Sequence, residues 1–390
     1  VRILPILFAV ALCMPAQGAD LLPAIREKMT AVLQRQPNYT CTETVERTRQ
    51  AAGSRSRIED TLRLEVALVD GKEMFAWPGA KQFEDHELND LVATGMFGSG
   101  NFAIYPRILF LSNVALFEDR GQTELNGRPA VRYDFRVSRL TSGHRLRVNN
   151  REAVVGFHGS FYADPVTLDL RRMEVVAEDI PAELNLLGAE TTVDYGRLRI
   201  GDEEFLLPVD SELMMAMPEA VNRNWVRFSS CRRFTGESTL SFSDPILNDA
   251  STPATPTEVA AAPREVMIPA GLTLQLEMSD LDLMQAAVGD PVEAILRADL
   301  KIRRQLLAPR GGIAHGRIVQ LDRYPTYYTL KVDFQDLDWP GGHARLKLSF
   351  EQTAFVTRLI TRMQPGGEIV ISRQAGPRLR GILMFWRTGL

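Results

Sequence analysis

The sequence predicts an α+β protein, mainly antiparallel β: a curved sheet carrying helices, followed by a small all-β barrel or sandwich. Three observations carry this. Apolar and polar residues alternate in short runs along most of the chain, with Asp-Gly and Asn-Gly pairs between runs where hairpins need them. Helical spacing appears in only two places, both within the first hundred residues. A stretch rich in Pro, Thr and Ala at 244–264 interrupts the pattern and reads as a linker. A chain of 390 residues suits two or three domains at roughly 150 residues each. With 45% hydrophobic residues there is enough apolar mass for real cores, and a net charge of −4 argues against a phosphate-tracking nucleic-acid binder.

The chain starts with Arg2, an apolar run from Ile3 to Met14, and Pro15-Ala16-Gln17-Gly18-Ala19-Asp20. This is the layout of a secretory signal peptide over residues 1–18, with Ala16 at −3 if cleavage follows Gly18. The run is shorter than the roughly 20 apolar residues that cross a bilayer. Cys13 leaves lipoprotein-type acylation as an alternative, although Leu12 stands where a small residue is wanted. The expected address is periplasmic or secreted. Export leaves Cys41 and Cys231, an even count that reads as one disulfide; two buried thiols are the alternative.

Residues 20–36 form an amphipathic helix, with Asp20 to cap it and Leu22, Ile25, Met29, Val32 and Leu33 at three- and four-residue spacing. From Tyr39 the period is two, with Tyr39, Cys41 and Val45 on one side and Thr40, Thr42, Thr44 and Glu46 on the other. Leu62, Leu64, Val66 and Leu68 make the next strand, and Asp70-Gly71 turns it into 74–77. A second helix is expected over 85–97, through Leu88, Leu91, Val92 and Met96. Asn126-Gly127 opens a strand bearing Val131, Tyr133, Phe135 and Val137. Runs at 157–162, 168–176, 191–198, 204–208, 226–234 and 239–242 complete a meander that closes the first domain, 19–243. The second domain, 265–390, carries runs at 272–278, 291–300, 313–321 and 328–334. The last is expected to pair with Leu346, Leu348 and Phe350 across Trp339-Pro340-Gly341-Gly342.

In this order of elements, the first domain resembles the periplasmic lipoprotein-carrier superfamily, the LolA/LolB-like fold. The resemblance rests on the opening helix running into Asn38-Tyr39-Thr40-Cys41-Thr42 and on the strand exit Gly159-Ser160-Phe161-Tyr162-Ala163-Asp164-Pro165. Leu168-Asp169-Leu170-Arg171-Arg172-Met173-Glu174 follows as the returning strand. It implies an incomplete β-barrel, capped by helices, around an apolar cavity that shields acyl chains from water. Carried over by position, the cavity wall falls on Leu64, Val66, Tyr133, Phe135 and Phe161, and the helical lid on Leu88, Leu91, Val92, Met96 and Phe97. The resemblance does not assign the family's substrate-handling arginine to a particular one of the many arginines here. Through Ile268-Pro269-Ala270-Gly271 and Val288-Gly289-Asp290, the second domain is similar to β-barrels of conjugal-transfer and envelope-channel proteins.

From the residues alone, a concave apolar face either packs as core or leaves room for a ligand. Catalytic groupings are poor. His158 and Ser160 share a strand face with Asp164 beyond a turn, but no Gly-x-Ser-x-Gly elbow or helix-start oxyanion hole accompanies them. Glu84, Asp85, His86, Glu87 and Asp90 suit a helix start better than a metal. Asp202-Glu203-Glu204 suits a solvated turn. Arg171-Arg172 and Arg303-Arg304 are too sparse for nucleic acid, and Gly311-Gly312 lacks the lysine of a phosphate loop. The expectation is a non-enzymatic envelope protein, without cofactor, metal or nucleic acid, that takes a lipid or lipoprotein acyl chain and docks to an envelope protein through its second domain. The alternative is a scaffold or sensor with a filled core that recognises a protein partner through a sheet edge.

Overall fold

Helix α1 (Leu22–Arg35) begins where Asp20 Oδ1 accepts the Leu22 N–H at 3.0 Å. The same oxygen accepts the Tyr133 hydroxyl at 3.0 Å, which fastens the helix start to the sheet behind it. Ile25, Met29 and Leu33 are the buried stripe, at the spacing the sequence announces. The computed structural model describes residues 20–80, 83, 103–148, 151–234, 264–353 and 368–389.

The first-domain strands are β1 (Tyr39–Ala51), β2 (Arg57–Val69), β3 (Lys72–Ala76), β4 (Ala115–Leu125), β5 (Arg128–Val137) and β6 (Arg145–Val148). They continue with β7 (Arg151–Val154), β8 (Gly156–Ala163), β9 (Leu170–Glu178), β10 (Gly188–Ile200), β11 (Glu203–Ala216) and β12 (Ala220–Arg233). Ten of them form one antiparallel sheet, in the order β3-β2-β1-β12-β11-β10-β9-β8-β5-β4, curled into a half-barrel. β6 and β7 pair only with each other. Helix α2 (Ile104–Leu111), which the sequence reading did not foresee, lies across the sheet beside α1. The expected strand at 239–242 and the linker up to residue 263 lie outside the described residues.

Register decides what the inner face holds. One row of cross-strand neighbours runs Leu62, Val45, Val226, Ser211, Val193, Met173, Phe161, Tyr133 over eight strands. Every member is buried. The next row places Phe135 over Gly159, where a Cβ would fall 1.8 Å from the Glu174 carbonyl oxygen and 3.1 Å from the Phe135 ring. Only glycine lets that ring lie against the strand. The outer face carries ion pairs instead, such as Arg172 with Asp194 at 2.7 Å and Arg120 with Asp134 at 2.6 Å.

The second domain contains β13 (Arg264–Glu265), β14 (Thr273–Met278), β15 (Leu281–Asp282), β16 (Pro291–Leu296), β17 (Leu300–Ile302), β18 (Gln305–Ala308) and β19 (Ile313–Arg323). It ends with β20 (Tyr327–Trp339), β21 (Gly342–Arg345), β22 (Leu348–Thr353), β23 (Ile369–Ser372), β24 (Arg378–Leu379) and β25 (Ile382–Thr388). Nine of these form a sheet in the order β13-β21-β20-β19-β16-β14-β25-β22, with β23 also on β20. Two sequence expectations are corrected here. The strand opening at Pro291 stops at Leu296, and Leu300 belongs to a separate hairpin with Ala308. Leu348 and Phe350 pair with β25, not β20, because the hairpin return is complete within Gly342–Arg345.

The two sheets meet along the free edge of β2. Val288 accepts the Arg63 N–H and donates its own N–H to the Thr61 carbonyl, both at 2.8 Å. Arg63 Nη1 lies 2.6 Å from Asp290 Oδ1. Gly289, at φ +98°, leaves no room for a Cβ, which would sit 2.4 Å from the Arg63 carbonyl oxygen and 2.5 Å from the Trp77 ring. Gly289→Val is therefore expected to pry the sheets apart, read as faster amide hydrogen exchange at Arg63 and Val288 with native far-UV circular dichroism.

The disulfide is present between Cys41 and Cys231, with Cα atoms 4.1 Å apart. A bulge aligns it: Thr40 faces Arg232 while Thr42 faces Ser229, and Ser230 takes φ +51°. Closing a 190-residue separation stabilises by about 5 kcal/mol in the chain-entropy model. The double variant Cys41→Ser, Cys231→Ser is expected to lose roughly 3–5 kcal/mol in urea unfolding, with a larger m-value from its less constrained denatured chain.

Candidate functional site

Packing divides the inner face of the half-barrel in two. Ile25, Met29 and Leu33 of α1 and Tyr105, Leu109 and Phe110 of α2 cluster with residues of β5, β8, β9, β10 and β11. Phe161 stacks on Tyr133 at 5.2 Å and meets Phe110 edge-on at 5.5 Å, so this half is a filled aromatic core. Tyr39, Cys41, Leu64, Val66, Phe75 and Phe228, on β1, β2, β3 and β12, belong to a different apolar cluster, one that continues into the second sheet.

The five wall residues expected from the sequence all stand on this inner face, but on opposite sides of the division. Tyr133, Phe135 and Phe161 lie beneath α1 and α2; Leu64 and Val66 lie in the other cluster. The lid residues Leu88, Leu91, Val92, Met96 and Phe97 lie outside the described residues, as do Glu84, Asp85, His86, Glu87 and Asp90.

Glu43 is the residue that sequence reasoning missed. It is 8% exposed, and its Oε2 has no hydrogen-bond partner. Leu64 and Phe228 are its direct neighbours on the two flanking strands. Burial, reinforced by the charge of Glu73, pushes its carboxyl up to about 8. A signal was present: Glu43 shares strand parity with Tyr39, Cys41 and Val45, the side named as apolar. Nearby, burial raises the hydroxyls of Tyr39 and Tyr195 and pushes Tyr105 up to about 12. Tyr105 Oη lies 3.4 Å from His144 Nε2, and burial pushes that imidazole down to about 4. Ser211 Oγ, two strands from Glu43, is likewise buried without a partner. At the far end of β1, Arg47 pairs with Asp60, and both line a cleft of about 830 Å³ shared with Arg323 and Tyr324 of the second domain.

No relay forms from His158, Ser160 and Asp164. Ser160 donates to Asp134 at 2.7 Å, His158 sits 2.9 Å from Glu178, and Asp164 accepts the Val166 and Thr167 N–H groups of its own turn. Arg171 donates to the Pro129 carbonyl, and Asp202, Glu203 and Glu204 are exposed at the β10–β11 turn. Among the described residues, no group of three or more His, Cys, Asp or Glu side chains could hold a metal ion. No described helix is long and apolar enough to cross a membrane.

No protein-family model and no curated protein matches the sequence. Among solved structures, the chain is similar to a LolA superfamily protein from Nitrosomonas europaea at 10% identity and TM-score 0.28, over 55% of this chain and 93% of that one. It is similar to a domain described as an outer membrane lipoprotein-sorting protein from Vibrio parahaemolyticus at 13% identity and TM-score 0.30, over 55% and 92%. A DUF1329 family protein from Desulfovibrio piger matches at 10% and 0.29, over 55% and 92%. Each of these is a likeness of fold alone, over 55% of this chain.

The raised carboxyl makes a signed prediction. An acid whose folded value exceeds its unfolded one contributes stability below the unfolded value and loses it as pH rises through the folded one. Glu43→Gln removes that loss. Its stability advantage over the parent is expected to grow by on the order of 4 kcal/mol between pH 4.5 and 8, and then level off, in urea titrations across that range.

Proposed function

We propose that this is an exported envelope protein that binds an apolar ligand, a lipid or acyl chain, against the inner face of β1, β2, β3 and β12. The division of the inner face carries this reading. The apolar side chains of α1 and α2 pack against one half only, while Leu64, Val66, Phe75 and Phe228 belong to a second buried apolar cluster, next to a carboxyl oxygen without a partner. Binding there would work by burial, at about 0.8 kcal/mol for each CH₂ taken from water, and needs no covalent chemistry.

The scaffold reading has less support. Its sheet-edge recognition needs a free, flat edge. The edge of β2 is already taken by Val288, and β4 is blunted by Glu118, Asp119, Arg120 and a bulge at Gly121, which among the described strands leaves that reading only the short β3 in the first sheet and β13 and β22 in the second.

Organic extracts of the purified protein are expected to contain acyl-bearing material by mass spectrometry, and N-phenyl-1-naphthylamine should bind saturably after delipidation. Val66→Trp, which fills the proposed half, should weaken the probe at least about tenfold; Phe135→Leu, in the filled half, should leave it within about twofold. Absence of both extractable lipid and saturable binding would favour the scaffold.

A further inference from the structure

We propose that the Glu43 carboxyl is the polar contact of this ligand wall, and that it meets the ester or amide carbonyl of an acylated molecule. The inference rests on the ligand-binding reading above and names the chemistry of the guest. Three observations on the same surface support it. Glu43 lies at an inward position in the middle of β1, between Leu64 and Phe228, with Cys41 and Val45 one step along the strand on either side. Its Oε2 is enclosed and accepts or donates no hydrogen bond within the protein. A polar atom in that state costs about 1–3 kcal/mol unless something supplies a partner, and the surrounding groups at this rung are hydrocarbon and aromatic.

The surrounding charges select the kind of partner. Glu73, on β3, shares the inner face through the register Tyr39–Leu68–Glu73, and its Oε1 accepts the Ala103 N–H at 2.8 Å. Its negative charge opposes ionisation of Glu43 and would oppose a second anion in the same space. No described cation acts on Glu43: Arg47 on β1 pairs with Asp60 of β2, and Arg107 of α2 acts on Tyr39 and packs at Gly71. Among the described residues, Tyr39 on β1, Tyr105 on α2 and Tyr195 on β10 are held as neutral hydroxyls, and burial holds His144, beside Tyr105, as a neutral imidazole at pH 7. On β12 and β11 the facing residues Phe228, Val226 and Ser211 carry no charge. Glu43 at neutral pH is thus a carboxylic acid with a proton to give. A neutral carbonyl accepts that proton's hydrogen bond, whereas a fatty-acid carboxylate adds a third acid to Glu43 and Glu73.

Displacement of N-phenyl-1-naphthylamine by three ligands of similar length tests this: methyl laurate, sodium laurate and tridecane. At pH 7 the parent is expected to bind methyl laurate about five- to tenfold more tightly than tridecane, the range of one hydrogen bond, with laurate no tighter than tridecane. Glu43→Leu should erase the preference for the ester while still binding tridecane. Glu43→Gln, which keeps an N–H donor, should retain it. Between pH 7 and 9.5 the parent should lose the ester preference as Glu43 ionises, and Glu43→Gln should not. Near-UV circular dichroism of each variant confirms folding. An ester preference unchanged in Glu43→Leu and constant with pH overturns the role of Glu43 and leaves the ligand reading intact. If laurate is the tightest ligand, the carbonyl assignment is overturned in favour of a free fatty acid. If none of the three displaces the probe, or the probe does not bind, both readings fail together.

Discussion

Curling an antiparallel sheet sends alternate residues of every strand to a surface that water has to leave. Each strand of the half-barrel must therefore keep its inward parity across bulges and turns, since a slip of one residue would expose the apolar set and bury the arginines. The row from Leu62 to Tyr133 meets that demand over eight strands, with every residue buried. The ion pairs of Arg172 with Asp194 and Arg120 with Asp134 stand on the opposite parity. The bulge at Ser230 is the same constraint at work: without its extra residue, Cys231 would not come into line with Cys41.

Much of this architecture was legible because period-two alternation is a local signal. The hairpins at Asp70-Gly71 and Asn126-Gly127 join the strands the sequence joins, and α1 buries the stripe it advertises. What escaped was non-local or aperiodic. Helix α2, Ile-Tyr-Pro-Arg-Ile-Leu-Phe-Leu, is apolar nearly all round and only eight residues long, so no polar face marks its period. Leu348 and Phe350 alternate as convincingly as any strand, yet alternation names no partner, and β25 took the place assigned to β20. The inward parity was readable; the division of those residues into two buried clusters was not, because that depends on where α1 and α2 come to rest. Glu43 was overlooked for a simpler reason. A single charged residue in an apolar alternation reads as noise until its burial is known.

The junction of the two sheets extends the argument from strands to domains. An uncovered half-barrel edge offers unpaired N–H and C=O groups, and β3 covers β2 only from Glu65 onward. Val288 supplies the missing partner at Thr61 and Arg63, and Gly289 permits the approach by presenting no side chain to Trp77. Apolar packing then runs from β1 and β2 into the second sheet without a break. The proposed ligand wall thus has part of its support in the second domain, so loosening the junction would also disturb Leu62 and Val45, next to Glu43 on the inner face.

That coupling bears on why an acid is tolerated at the centre of the wall. An apolar residue at position 43 would remove the cost of enclosing a lone oxygen, and with it the polar contact. A carboxyl under pressure from burial and from Glu73 stays neutral here at pH 7 and keeps both a donor and an acceptor, and unlike an amide or a hydroxyl it gives up the donor as the pH rises. At so buried a position those two functions would be enough to orient one carbonyl, and the hydrocarbon of Leu64, Val66 and Phe228 would meet the chain that follows it. Affinity would then come from length and orientation from Glu43, a separation that leaves the wall indifferent to the identity of the acyl chain but not to the group at its head.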